Sequence, residues 1–345
     1  MTRTFGLPES PQRFIWQKWK KSFCVLLIVG VLACVAVLAS VYQGLTSSTP
    51  LPWWYSPPIY VCPNVTLSRR SDVATVTPWS APIVWTDTFN PELCDASYEP
   101  LNITVALTTF AVGKYTRFLK DFLETAERHF FAGVRVQYHV FTDQPDQVPS
   151  VKIAAGRELF VRPVESKERW QDISAGRFKV IANFIETELR DSADYIFCFD
   201  VDSKFHARWG TETLGTLVGV VHPDFYLTER SQFTYERRPA SKAYMSADEG
   251  DFYYPAGSFG GEPASVRRML LTCNDNWELD AQQGVEAVWH EESHLNRYLW
   301  LHKPSKVLSA EYQWGFWVVR TPKIKTIRFG GVSKDYADIR PGWPE

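Results

Sequence analysis

The 345-residue chain carries 37 lysine and arginine residues against 39 aspartate and glutamate residues, which gives a net charge of −2 at neutral pH. A balance this close to zero, without a basic cluster, gives no indication of a nucleic-acid partner. The sequence contains no GxGxxG motif of a dinucleotide site and no Walker motif of a P-loop. The cysteines also lack the CxxC spacing that is typical of zinc and redox sites.

A membrane anchor is predicted near the N-terminus. Residues 1–21 are rich in Lys and Arg and contain one acid, Glu9, whereas residues 22–42 are uncharged and mostly apolar. About 20 apolar residues cross a bilayer as a helix. The basic flank predicts a cytosolic tail at 1–21 and a lumenal remainder. Cleavage of a signal peptide near residues 39–41 is the alternative.

The segment after the anchor is predicted to be an extended stem. Residues 43–72 contain a run of threonine and serine followed by several prolines. Asn64 and Asn102 each begin an Asn-X-Thr sequon, which predicts glycosylation on the lumenal side. Residues 73–345 then have the length of a single α/β domain.

The domain begins with alternating strand and helix patterns. Strands are predicted at 101–110, 134–140, 158–164 and 195–199 from β-branched and aromatic residues. Apolar residues at helical spacing predict helices at 115–130 and 170–190. This alternation predicts an α/β fold with a largely parallel sheet and helices on both faces.

Two aspartates follow the last of these strands. Asp200 and Asp202 come directly after an apolar run, and alternation along an extended chain would point both side chains to the same side. Ligands of open α/β sheets bind at the carboxyl ends of strands, and Mg²⁺ and Mn²⁺ favour carboxylate and phosphate oxygens. The pair predicts a divalent-metal site, with a solvated turn as the alternative.

Acidic, aromatic and glycine residues are crowded together at 248–261, in the sequence DEGDFYYPAGSFGG. Aromatic rings face the C–H surfaces of sugars, and carboxylates bind sugar hydroxyls. The segment is therefore typical of a sugar pocket, although an ordinary turn-rich hairpin has the same composition.

Residues 290–294, HEESH, match the zinc-protease sequence H-E-x-x-H inside a predicted helix from about 284 to 301. His290 and His294 would share a helix face and hold zinc, with Glu291 as the base. A membrane-anchored zinc protease is therefore an alternative, with Glu311 as a conceivable third ligand. It leaves Asp200 and Asp202 without a role.

Taken together, the motifs resemble family 6 glycosyltransferases, which include the histo-blood-group A/B transferases, α-1,3-galactosyltransferases and Forssman synthases. The resemblance runs from about residue 77 to the C-terminus and is nearest in character to the histo-blood-group type. It is carried by TFAVGKY at 109–115, FDVD at 199–202, FTYERR at 233–238, EGDFYY at 249–254, WHEESHLN at 289–296 and HKPSKVLS at 302–309. It implies a GT-A type domain, a UDP-sugar donor, retention of anomeric configuration and a single-pass type II protein of the Golgi membrane.

The resemblance also implies roles for individual residues. Glu292 matches the catalytic glutamate, and Asp200 and Asp202 match the aspartates that bind Mn²⁺, with Mg²⁺ as an alternative. The donor-binding matches are Phe110, Ala111, Val112, Tyr115, Arg177, Val201, and Lys334 and Arg340 of a closing C-terminal tail. The acceptor-binding matches are His222, Thr234, Trp289 and Glu292.

The donor sugar is predicted from Pro255 and Gly257, which match the family's selectivity positions. Gly257 lacks a Cβ and leaves room for an acetamido group, so we expect UDP-GalNAc as donor, with UDP-Gal as the alternative. The implied acceptor is a galactose-terminated glycan of a glycolipid or glycoprotein. Gly315 stands where the family usually has an acceptor-side aspartate, and Gly176 replaces a basic neighbour of Arg177. These departures keep open an inactive lumenal sugar-binding protein.

Overall fold

The computed structural model describes residues 70–166, 170–335 and 339, with the backbone alone for 170–175. The predicted tail, membrane anchor and nearly all of the stem lie outside the described residues, as do Asn64 and Arg340. Among the helices of the described ranges, none combines the length and the apolar character that a membrane crossing requires.

The helices and strands alternate along the first half of the domain. The α-helices are α1 (Pro91–Tyr98), α2 (Leu119–His129), α3 (Trp170–Phe184), α4 (Pro263–Gln282) and α5 (His290–Leu301). The strands are β1 (Ile83–Val84), β2 (Thr104–Phe110), β3 (Arg135–Thr142), β4 (Arg157–Pro163), β5 (Tyr195–Asp200), β6 (Ser203–Phe205), β7 (Leu217–Val220), β8 (Ser258–Gly261), β9 (Lys306–Leu308) and β10 (Phe329–Gly331).

The main sheet has eight strands in the order β1-β9-β7-β8-β5-β2-β3-β4, and β6 pairs separately with β10. Strand β8 runs antiparallel to both of its neighbours, β5 and β7, whereas the other neighbouring strands of this sheet are parallel. The predicted α/β class with a largely parallel sheet is therefore confirmed.

Three predicted boundaries differ from the structure. Leu101 ends a 3-10 helix rather than beginning a strand, because Asn102 adopts the left-handed conformation (φ 48°) that asparagine tolerates. The predicted helix at 115–130 begins as a 3-10 helix, Gly113–Phe118, before α2. The predicted helix at 170–190 ends in a π-helical turn, Ile185–Leu189.

The hydrophobic core has two layers, one on each face of the sheet. Leu107 and Phe199 pack on the side of α2, whereas Ala106 and Cys198 pack on the side of α3, α4 and α5. Successive side chains of a strand point to opposite faces, so the apolar runs of β2 and β5 supply both layers. Helices on both faces are confirmed, and Cys198 is the buried free thiol that its position in the strand predicts.

The folded domain includes residues that were assigned to the stem. Arg70 is buried, pairs with Asp72, and donates to the carbonyl oxygens of Thr86 at 3.1 Å and Lys323 at 2.7 Å. These contacts tie both ends of the domain together, so packing begins before the predicted boundary at residue 73.

Candidate active site

Four of the predicted donor-binding residues lie at or just after the carboxyl end of β2, the strand that pairs with β5 at Asp200. Phe110 is the strand partner of Asp200, and its ring stacks on Phe141 with centroids 4.7 Å apart. The N–H of Ala111 donates to the Phe141 carbonyl oxygen at 2.8 Å. Ala111, Val112 and Tyr115 are buried. The parallel register of β2, β3 and β5 therefore brings residues far apart in sequence to the same place.

Arg177 of α3 connects Asp200 to the helix that carries the predicted catalytic residue. Its Nη1 lies 2.5 Å from Oδ1 of Asp200, and its Nη2 lies 2.9 Å from the Ala256 carbonyl oxygen and 3.4 Å from Oε1 of Glu291. Burial acts against its charge, but the Asp200 and Glu291 carboxylates outweigh burial and raise the pKa of Arg177. The guanidinium therefore stays charged and joins three segments.

Asp202 is oriented by a turn and by the C-terminal segment. Strand β5 ends at Asp200, and Val201 and Asp202 form a turn, so strand alternation does not set their relative direction as predicted. Asp202 is buried and pairs with Lys334, and its carbonyl oxygen accepts the N–H of Val332 at 2.9 Å. The structure thus brings Lys334 of the predicted tail to the aspartate pair.

The aspartate pair fits a cation that shares its ligands with a substrate. No group of three or more His, Cys, Asp or Glu side chains in the described ranges is placed to hold a metal ion. Mg²⁺, however, is commonly held by one or two carboxylates together with water and substrate phosphates, and Mn²⁺ favours the same oxygen ligands. Asp200 and Asp202 provide such a set, and the nearby cations Arg177 and Lys334 suit an anionic diphosphate.

Glu292 occupies the first turn of α5 and receives two hydrogen bonds. The Tyr253 hydroxyl donates to Oε1 at 2.8 Å, and the Ala256 N–H donates to Oε2 at 2.9 Å. Burial raises the pKa of Glu292 to about 7, and these two hydrogen bonds act in the opposite direction because they stabilise the charged form. The two hydrogen bonds therefore orient the side chain, and burial raises its pKa.

The segment facing Glu292 is fastened to α5 by Asn296. Its Oδ1 accepts the Tyr254 N–H at 2.9 Å, and its Nδ2 donates to the Tyr254 carbonyl oxygen at 2.8 Å. Sequence reasoning did not assign Tyr253, Ala256 or Asn296 to the site. Tyr253 and Asn296 lie within the resembling segments 249–254 and 289–296, but only the folded arrangement shows what they contact.

The predicted acceptor residues approach the same place from loops. The ring centroid of His222 lies 5.6 Å from that of Tyr253, and burial lowers the pKa of His222 to about 4. Exposed Thr234 makes a side-chain hydrogen bond to Tyr253. Trp289 precedes α5 directly, with 44% of its surface exposed. Tyr253 therefore links the carboxylate of Glu292 to two of the three residues.

Gly257 lies directly against the aspartate pair. A Cβ at this position would be 2.8 Å from Oδ2 of Asp200, and the Gly257 carbonyl oxygen accepts the Asp200 N–H at 3.0 Å. Pro255 is buried two residues earlier. A side chain at 257 would therefore displace the carboxylate of Asp200.

The two histidines of the HEESH sequence do not form a zinc site. Nδ1 of His290 lies 3.4 Å from Glu286, whereas Nε2 of buried His294 lies 3.7 Å from Asp280. Glu311 is buried elsewhere and accepts backbone N–H groups of Thr86, Lys325 and Thr326. The protease alternative therefore lacks its metal centre among the described residues.

Comparison with known proteins identifies the family. The sequence model of glycosyltransferase family 6 matches residues 48–341 of this chain. Globoside alpha-1,3-N-acetylgalactosaminyltransferase 1 of Gallus gallus is 47% identical over 281 residues, 81% of this chain and 82% of that protein. Histo-blood group ABO system transferase 1 of Rattus norvegicus is 48% identical over 282 residues, 81% of each chain.

A third relative aligns over more of the chain. Alpha-1,3-galactosyltransferase 2 of Homo sapiens is 36% identical over 338 residues, 93% of this chain and 97% of that protein. The matches confirm the resemblance drawn from the motifs and the prediction of an enzyme that transfers a sugar. Identities of 48% and 47% do not separate the histo-blood-group type from the globoside type.

Proposed function

The chain belongs to glycosyltransferase family 6, and from this we propose that it transfers N-acetylgalactosamine from UDP-GalNAc to the terminal galactose of a glycolipid or glycoprotein glycan. The new linkage is α-1,3 and retains the donor's anomeric configuration. UDP-Gal is the alternative donor. Names of relatives support the proposal, since they specify alpha-1,3 transfer of N-acetylgalactosamine in one case and of galactose in another.

The observation that carries the proposal is the series of contacts from Asp200 through Arg177 to Glu291, the neighbour of Glu292. We assign Asp200 to the leaving diphosphate and the carboxylate of Glu292 to the reacting sugar carbon. Arg177 holds these two ends in fixed relation. Such positioning lowers the barrier because the reacting groups need little reorganisation.

At the leaving-group end, Asp200 and Asp202 would hold Mn²⁺, or Mg²⁺ as the alternative. The cation supplies Lewis-acid stabilisation of the departing diphosphate, worth several kcal/mol. Lys334 adds a positive charge at the same position, and we assign the same role to Arg340. The uridine would be enclosed by Phe110, Ala111, Val112 and Tyr115. The backbone of Val201 would lie between the carboxylates of Asp200 and Asp202.

At the sugar end, Glu292 would act as a carboxylate. The anomeric carbon becomes oxocarbenium-like as UDP leaves, and a negative charge on its face stabilises that state. The hydrogen bonds from Tyr253 and Ala256 hold the carboxylate in one orientation. Retention is compatible with a covalent Glu292 adduct and with attack by the acceptor hydroxyl on the same face.

The cellular setting is part of the proposal. An anchor at 22–42 would place the domain in the Golgi lumen as a type II membrane protein. Asn102 supports lumenal exposure, because it lies on the surface in a turn before β2 and is accessible for glycosylation. Protein made in mammalian cells should shift in mobility after glycosidase treatment, and the shift should shrink in Asn102→Gln.

The test is transfer by the detergent-solubilised full chain in the presence of Mn²⁺. Each UDP-sugar is offered with a panel of galactose-terminated acceptors, and the linkage of the product is determined by NMR. We expect an α-1,3-linked product and a higher kcat/KM with UDP-GalNAc. Absence of transfer from both donors, or a β-linked product, would overturn the proposal.

A further inference from the structure

We propose that Trp317 forms a wall of the acceptor site and stacks on the apolar face of the acceptor galactose. This inference rests on the proposed function and deepens it, because it assigns an acceptor-specificity residue two positions after Gly315, which offers no acceptor-side carboxylate.

Trp317 is a large ring that is both exposed and held in place. More than half of its surface, 54%, is exposed. Its indole Nε1–H donates to Oδ1 of Asp224 at 3.0 Å, and Phe316 packs edge-on with centroids 5.0 Å apart. A hydrogen-bonded tryptophan with an open face is suited to contact an amphipathic ligand, because one ring offers apolar area at a small entropic cost.

The position of the ring depends on Gly315. A Cβ at residue 315 would lie 2.5 Å from the indole of Trp317, closer than atoms can approach. Gly331 also lies beneath the ring, since its Cβ would be 3.8 Å away. Any side chain at 315 would therefore force the indole out of this place.

Contacts on both sides connect Trp317 to the candidate active site. Its partner Asp224 donates its N–H to Nδ1 of His222 at 3.2 Å. The ring of His222 faces Tyr253, whose hydroxyl bonds to Glu292. On the other side, Gly331 is followed by Val332, which is bonded to the carbonyl oxygen of Asp202. These contacts connect Trp317 through Asp224 and His222 to Tyr253, the partner of Glu292, and through Gly331 to the segment that bonds to Asp202.

Galactose has the surface that this ring would recognise. Its axial O4 leaves the C3–H, C4–H and C5–H groups together on one face, which forms an apolar patch. A ring stacked on that face leaves the equatorial O3 free at the edge, and O3 is the hydroxyl that an α-1,3 transfer requires. Gly315 has no carboxylate with which to bind the acceptor. The geometry therefore favours an acceptor that is held by stacking on Trp317 instead.

The experiment compares Trp317→Ala with wild type in the full chain. We measure the KM for a galactose-terminated acceptor, the KM for the donor, and UDP-sugar hydrolysis without acceptor. The acceptor KM should rise about tenfold, as loss of an aromatic contact predicts, while donor KM and hydrolysis stay unchanged. Val319→Ala, at an exposed position in the same segment, is the control and should change none of them.

A double-mutant cycle tests the role of Gly315. Gly315→Ala should also raise the acceptor KM, because the new methyl group displaces the indole. Combined with Trp317→Ala it should add little, since the ring is already absent. The inference would be overturned if the acceptor KM of Trp317→Ala stayed within about twofold of wild type, or if the donor KM rose equally. It would also be overturned if the effects of the two substitutions on the acceptor KM were additive in the double variant.

Binding of methyl β-galactoside, measured by calorimetry, separates this inference from the proposed function. Galactoside binding that is lost in Trp317→Ala supports the inference even if wild type transfers neither sugar, a result that would sink the proposed function. Transfer that proceeds in both proteins with equal acceptor KM sinks the inference and leaves the proposed function standing. Failure of wild type to bind galactoside also overturns the inference.

Discussion

The two halves of the candidate site are held in place in different ways. The donor region, residues 104–142 and 195–205, consists of adjacent strands and α2 around an aromatic core. Phe130, Phe197, Phe199 and Phe205 are buried there with ring centroids 5.1 to 6.2 Å apart. The backbone of Asp200 is therefore positioned by strand register and apolar packing, which depend little on any single hydrogen bond.

The acceptor region, residues 221–257 with the start of α5, forms no strand in the described structure. Buried polar side chains hold its backbone instead. Glu236 accepts the N–H groups of Arg238 at 2.8 Å and Val288 at 2.9 Å, and Asp280 accepts the Lys242 N–H at 2.7 Å. Removing one such carboxylate leaves a part-buried backbone N–H group without its partner, at a cost of up to about 1–3 kcal/mol.

Because the two regions are held differently, we expect substitutions to reduce activity in a different way in each. In the donor region we expect the largest effects from substitution of the two aspartates themselves, because many apolar contacts support the strand β5 that precedes them. Substitutions in the acceptor region should act through neighbours, because the carboxylate of Glu292 depends on individual hydrogen bonds. Four experiments test whether the donor region and the acceptor region respond to substitution in these different ways.

The largest effect is expected from Asp200→Asn and Asp202→Asn. Each would remove an anionic ligand of the proposed cation and should reduce transfer by about 10³-fold or more, since Lewis-acid stabilisation is worth several kcal/mol. Transfer and UDP binding are measured in Mn²⁺, with melting temperature as the test of folding. Asp87→Asn, at a surface ion pair with Lys325, is the control. Near wild-type transfer by both variants in chelator would contradict the metal site.

Glu292→Gln should be next, with kcat reduced by about 10²–10³-fold as a preorganised charge is lost. Glu291→Gln is the comparison: it loosens Arg177 without removing the catalytic charge, and we expect a fall of about tenfold. A zinc protease would need the reverse order. Stoichiometric zinc that is lost together with activity in His290→Ala and His294→Ala would restore that alternative.

Gly257→Ala tests the contact between the regions. The methyl group would meet Oδ2 of Asp200 at 2.8 Å and occupy the space beside the sugar. We expect kcat/KM with UDP-GalNAc to fall by about tenfold and the preference to move toward UDP-Gal, in line with the effect of one methyl group on a pocket. Parallel kinetics with both donors provide the measurement. A wild-type preference for UDP-Gal that survives the substitution would show that Gly257 does not set the choice.

Tyr253→Phe should have the smallest effect, a shift in pH dependence. Glu292 is active when charged, so the rate should rise with pH through its pKa of about 7. Loss of the tyrosine hydroxyl removes a bond that stabilises the charged form, so the profile should move to higher pH by about one unit. Tyr235→Phe, whose hydroxyl bonds to Phe252 instead, is the control. An unchanged or lower midpoint would separate Tyr253 from the ionisation of Glu292.

The parts of the fold that repeat with a regular period could be predicted from the sequence. The continuous apolar run at 195–199 located β5, because a strand buried on both faces is apolar throughout, and helical spacing at 170–190 located α3. The aspartate pair and Glu292 were identified by motif and resemblance. Boundaries such as Asn102 were missed because a single left-handed residue carries no periodic signal.

Which polar groups form hydrogen bonds with each other is known only from the folded structure. The sequence by itself determined the α/β class and the residues at the end of β5, since local pattern and composition encode them. The contacts of Arg177 with Glu291, Asn296 with Tyr254 and Trp317 with Asp224 join positions that are 42 to 114 residues apart. Such pairs have no period and no fixed spacing. They exist because the folded sheet and loops bring specific donors within about 3 Å of specific acceptors, the distance at which a hydrogen bond forms.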